Sequence, residues 1–127
     1  MVFAEIKHHR TPLLKSEYRP SVWPLSNDLV GGISQAQVTV HQAVAGVGEH
    51  VAQRDASGFE TGDVTYLIRP RSFLIIGKLS EFLNERDQYH PEKIRSFELA
   101  RRHLQEPEII TFDELLARAE WIVNNSA

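Results

Sequence analysis

The sequence predicts an α/β fold, a central mixed or mostly parallel sheet flanked by helices. Three observations carry this: strand-like apolar runs alternate with helix-period stripes, one run is unbroken, and helix start signals precede the later stripes. Met-Val-Phe-Ala at residues 1–4 opens as a buried strand, continuing through Glu5-Ile6-Lys7. Residues 8–28 contain Pro12, Pro20 and Pro24 with Ser21, Ser26, Asn27 and Asp28, a loop long enough to be functional or mobile, pinned by Tyr18 and Trp23. Asn27 or Asp28 caps a helix whose stripe is Ile33, Ala36, Val40, Val44, Val47 and Val51. Its glycines and β-branched residues lower helix propensity, so its stability is expected to come from close packing on a sheet.

Residues 55–63 read as loop and 64–68 as a strand ended by Arg69-Pro70. Phe73-Leu-Ile-Ile76, closed by Gly77, is unbroken, as expected of a central strand covered on both faces. Residues 79–83 fit a short helical turn. His90-Pro91-Glu92 opens a helix with proline at its first position and a stripe of Ile94, Phe97, Ala100 and Leu104. Glu108-Ile-Ile110 is a short strand, and Thr111-Phe-Asp-Glu114 is a capping box that launches the last helix. Residues 124–127 are expected to fray.

The 127 residues are expected to form one domain able to bury a core, 42% of them hydrophobic. There is no cysteine, which excludes disulfides, cysteine zinc sites and thiol nucleophiles and fits a cytoplasmic location. No signal peptide or membrane span is expected, because Glu5 and Lys7 interrupt the N-terminal apolar run. The net charge of -3 offers no broad positive field for nucleic acid. Basic residues are nevertheless uneven, crowding the first twenty positions and flanking residues 73–76 with Arg69, Arg71 and Lys78.

Glu5 and Lys7 stand two apart, so an extended chain projects both to one face and buries Ile6 on the other. A carboxylate there can ligate a divalent cation, while the ammonium stabilises or deprotonates a water attacking a phosphodiester. Glu-x-Lys alone is more often a solvated strand face. In helical phase Gln35 lies off the apolar stripe, near Thr39 and Gln42, either facing a cleft or simply exposed. His8 and His9 follow on what reads as strand, where neighbours point opposite ways, so at most one faces Glu5. Asp113 and Glu114 sit in a helix's first turn, where acids favour the dipole, and are read as structural.

The runs AEIKHHRTPLL, YRPSVWPLSNDLVGGISQ, PRSFLIIGK and RSFELARRHLQEPEIITFDELLARA, in that order, resemble the C-terminal nuclease domain of the Shedu anti-phage immune proteins. That family is a branch of the PD-(D/E)xK superfamily, and the resemblance covers nearly the whole chain. It implies a partial restriction-endonuclease-like fold and a metal-dependent DNA endonuclease using Mg²⁺ or Mn²⁺. Carried over residue by residue, the metal ligand falls on Glu5, the catalytic lysine on Lys7 and a helical glutamine beside the active site on Gln35. Arg10, Arg71 and Lys78 fall to DNA contacts, phage DNA to substrate, and a homo-oligomer is implied.

The superfamily's first signature aspartate lies on a strand before the acidic-x-Lys strand, and every aspartate here follows Lys7. The domain is therefore expected to lack its first strand or strands, leaving the opening strand as a sheet edge. Three readings follow: a truncated version of an active endonuclease, an inactive scaffold serving as a binding or oligomerisation module, or an unrelated α/β regulatory domain with Glu5 and Lys7 as a surface ion pair.

Overall fold

A computed structural model describes residues 1–48, 52–54, 57, 60–64 and 70–126. In chain order these form β1 (Val2–Ile6), α1 (Asn27–Gly48), β2 (Ala52–Arg54), β3 (Glu60–Val64), β4 (Arg71–Ile75), a 3-10 turn (Leu79–Phe82), α2 (Pro91–Arg102), β5 (Glu108–Ile110) and α3 (Phe112–Asn125). The sheet that positions the site has the order β1-β4-β5, and both pairings are parallel. β2 and β3 form a separate antiparallel pair.

The unbroken apolar run does supply the central strand. Leu74 and Ile76 are fully buried and Ser72 nearly so, whereas Phe73 and Ile75 are only half-buried. One face of β4 is thus sealed; on the other, the Arg71 guanidinium lies 5.2 Å from the centre of the Phe73 ring. Leu74 and Ile76 join Leu13, Leu14, Leu29, Phe82, Phe97 and Ile109 in the core, with Trp23, Leu25 and Ile33 packed around them.

β1 corrects the expected burial of Ile6. Parallel pairing sets Glu5 beside Leu74 and Ile6 beside Ile75. Phe3, Glu5 and Lys7 therefore share the face sealed at Leu74, and Val2, Ala4 and Ile6 take the other. Ile6 is 63% exposed and Val2 62%. The opening residues are not a buried strand but an edge whose polar face is the better covered one.

α1 lies over the sealed face because Leu29, Gly32, Ala36 and Val40 recur at helical spacing and are all buried. Its cap is Ser26, not Asn27 or Asp28: the Leu29 amide donates to Ser26 Oγ at 3.0 Å, and Asn27 is already helical. The helix ends at Gly48, so Val51 lies outside the described residues, as do residues 65–69 of the expected strand and its end. Residues 60–63 are β3 rather than loop, since backbone pairing with β2 overrides a composition poor in strand formers.

Residues 8–28 are tied down by Leu13 and Leu14 rather than by Tyr18, which is 68% exposed. Leu13 is fully buried, and its amide donates to Glu81 Oε1 at 2.8 Å. Trp23 does pack against the core, with Lys93 Nζ 4.6 Å from its ring. α2 begins as expected, His90 accepting from the Lys93 amide ahead of Pro91. The capping box at Thr111 and Glu114 forms. α3 continues to Asn125, whose side-chain amide donates to the Trp121 carbonyl, so the expected fraying of residues 124 and 125 is not seen.

Candidate functional site

Three residues far apart in sequence meet on the sealed side of β1. Lys7 Nζ donates to Gln35 Oε1 at 2.8 Å and stands 3.6 Å from Glu5 Oε1. Strand alternation places the two charges together, and the helix places the amide above them. Gly32, one helical turn before Gln35, allows this: a Cβ there would sit 3.1 Å from Leu74 Cδ1 and 3.6 Å from Lys7 Cε. The missing side chain lets α1 settle close to the sheet, within reach of Lys7.

The arrangement is half-open. About a third of the Lys7 side chain and a quarter of the Glu5 side chain remain in solvent, at 32% and 26%. Ion pairs this exposed stabilise a fold by only about 0–1 kcal/mol. Glu5 accepts no hydrogen bond among the described residues, so its carboxylate keeps oxygen lone pairs for a ligand. Lys7 is held by an acceptor that carries no charge, which orients the ammonium without neutralising it.

The family resemblance implies a divalent metal here. Such a hard cation takes about six oxygen ligands, and among the described residues no group of three His, Cys, Asp or Glu side chains could hold one. The residues present supply Glu5 and do not make a complete metal site.

The three basic candidates do not stay together. Arg10 and Lys78 line one cleft of about 460 Å³ at the carboxyl end of the sheet, together with His9 and Glu81. Arg71 stands at the opposite end of β4, ion-paired to Glu108 at 3.5 Å. The His8 and His9 rings stack with centroids 4.2 Å apart. They do not point opposite ways, because β1 ends at Ile6 and strand alternation stops with it. Nothing in strand periodicity reveals that stack, and only the doublet itself marks it.

Asp113 and Glu114 are structural, as their position implies. Asp113 accepts from the Leu79 and Ser80 amides and from the Thr111 hydroxyl. Desolvation raises its pKa, but these hydrogen bonds outweigh it and hold the carboxyl below its ordinary value. Glu114 is treated alike: desolvation is outweighed by the hydrogen bond from Arg101 and those at Thr111. Arg101 bridges Glu98 and Glu114 and donates to the Ile109 carbonyl at 3.2 Å.

A family model described as the C-terminal region of Shedu protein SduA matches residues 1–116. The Shedu protein SduA of Bacillus cereus (strain B4264) is 30% identical over 128 residues, an alignment covering 96% of this chain and 30% of that protein. The chain thus spans about 30% of the length of the curated relative it matches.

Proposed function

Because the chain belongs to the Shedu family, we propose that it forms part of a PD-(D/E)xK-type centre that cleaves phage DNA in anti-phage defence. The observation that carries this is the convergence of Glu5, Lys7 and Gln35 on one face of the sheet. The Lys7 ammonium, oriented by Gln35, neutralises charge on the scissile phosphate and positions the attacking water. Glu5 offers one oxygen ligand toward Mg²⁺ or Mn²⁺, and completing that shell takes ligands beyond the described residues.

Incubating the purified chain with DNA and Mg²⁺ or Mn²⁺ tests the reading. Glu5→Ala and Lys7→Ala should each lower cleavage by about 100-fold or more. Cleavage that survives both substitutions sinks the assigned site.

A second reading is an inactive scaffold that binds or assembles. It draws on the incomplete ligand set and on apolar side chains left in solvent: Val2 and Ile6 on β1, and Trp121, Ile122 and Val123 at 66%, 60% and 72% exposure on α3. A homo-oligomer would cover such residues. Absence of cleavage by the wild-type chain, with light scattering showing a stable oligomer, favours this reading.

A further inference from the structure

The cleft beside the two stacked histidines is cationic in a chain whose net charge is -3. From the β1 side it is lined by His9 and Arg10, and from the β4 side by Lys78. Neither Arg10 nor Lys78 has an ion-pair partner among the described residues. The one carboxylate in the lining, Glu81, is already committed to the Leu13 and Leu14 amides, at 2.8 and 3.4 Å. The nearby Asp113 is likewise engaged by the Leu79 and Ser80 amides. Like charges gathered without a counter-charge repel one another, and a bound anion relieves that repulsion.

The place fits the chemistry. The cleft opens at the carboxyl ends of parallel β1 and β4, the side on which open α/β sheets bind ligands. The Arg10 amide donates to His8 Nδ1 at 3.0 Å, which leaves the neutral His8 ring its proton on Nε2 as a donor. His9 rests edge-to-face against Phe112, with centroids 6.1 Å apart.

We propose that His8, His9, Arg10 and Lys78 form a proton-linked subsite for a backbone phosphodiester of a nucleic acid strand. The subsite begins one residue beyond Lys7, so it holds the strand next to the centre proposed above and rests on that reading only for its purpose. Desolvation, then the charges of His8, Lys78 and Arg10, lower the His9 pKa. A phosphodiester stays anionic from mildly acid to mildly alkaline pH, so its arrival favours the imidazolium and raises that pKa. By linkage, the strand binds more tightly as pH falls.

Histidine-resolved NMR titration of the intact chain in EDTA, without added metal, tests this with no cleavage readout. An oligothymidylate of eight nucleotides should shift the His8 and His9 ring signals and raise the His9 pKa by about one unit. Its affinity should fall severalfold between pH 6 and pH 8. Lys78→Met should weaken binding about three- to tenfold with an otherwise unchanged spectrum, and Lys78→Arg should restore it. Glu5→Gln should leave the histidine shifts intact even though it removes the proposed metal ligand, so the subsite and the cleavage centre can fail separately. Signals moved by thymidine monophosphate but not by the oligonucleotide would overturn the backbone assignment. Histidine pKa values unchanged by either probe would overturn the subsite itself.

Discussion

Two charged clusters in this molecule use the same residue types to opposite ends. Around Arg101, one guanidinium meets two carboxylates and a carbonyl, its side chain only 17% exposed, and every partner belongs to a cap or an inter-element contact. Around Lys7, one ammonium meets one carboxylate at 3.6 Å and one neutral amide, with Glu5 left free of hydrogen bonds among the described residues. The first cluster is saturated and ties α2 to the start of α3. The second is unsaturated and ties nothing that the fold needs. Incomplete satisfaction, rather than charge, distinguishes a candidate site from a structural knot.

The sharpest break of that contrast is removal of Arg101. Arg101→Met strands two carboxylates and a buried carbonyl, and chemical denaturation should show a loss of about 2–4 kcal/mol, short of a fully buried pair because the cluster retains some solvent. Somewhat smaller is Gly77→Ala. Gly77 has φ +61°, and a Cβ there would meet the Thr11 carbonyl oxygen at 2.7 Å, so about 2 kcal/mol or more should be lost in the same experiment.

Acid should act on the saturated cluster first. The folded-state pKa values of Asp113 and Glu114 lie below their ordinary ones, so their contribution is fully present above the ordinary carboxylate range. It is lost as pH falls through the depressed folded values. Melting temperature should therefore be insensitive to these groups between about pH 5 and 7 and decline below about pH 4. Asp113→Asn with Glu114→Gln should flatten that decline. The smallest stability change belongs to the other cluster: Lys7→Met or Glu5→Gln should cost less than about 1 kcal/mol. A larger loss at Lys7 than at Arg101 would reverse the comparison.

Local rules made part of this legible in the sequence. Strand alternation put Glu5 and Lys7 on one face, helical phase freed Gln35 from the apolar stripe, and capping chemistry marked Asp113 and Glu114 as structural. The meeting of Gln35 with Lys7 needed the family resemblance, because it depends on where α1 crosses the sheet. Burial of Ile6 was misjudged for a related reason: periodicity separates two faces without saying which one a helix will cover. Arg71 and Lys78 flank one apolar run in sequence yet lie at opposite ends of a strand, so only one joins Arg10. β3 was hidden because its pairing with β2, not its own residues, makes it a strand.

The claim that the unsaturated cluster exists for chemistry meets its most direct test in one ratio: the DNA cleavage rate of Lys7→Met over that of the wild-type chain, in Mn²⁺, below both melting temperatures. The account predicts a ratio of about 0.01 or less. A ratio within about twofold of one, well inside what general acid–base or electrostatic catalysis contributes, would contradict it.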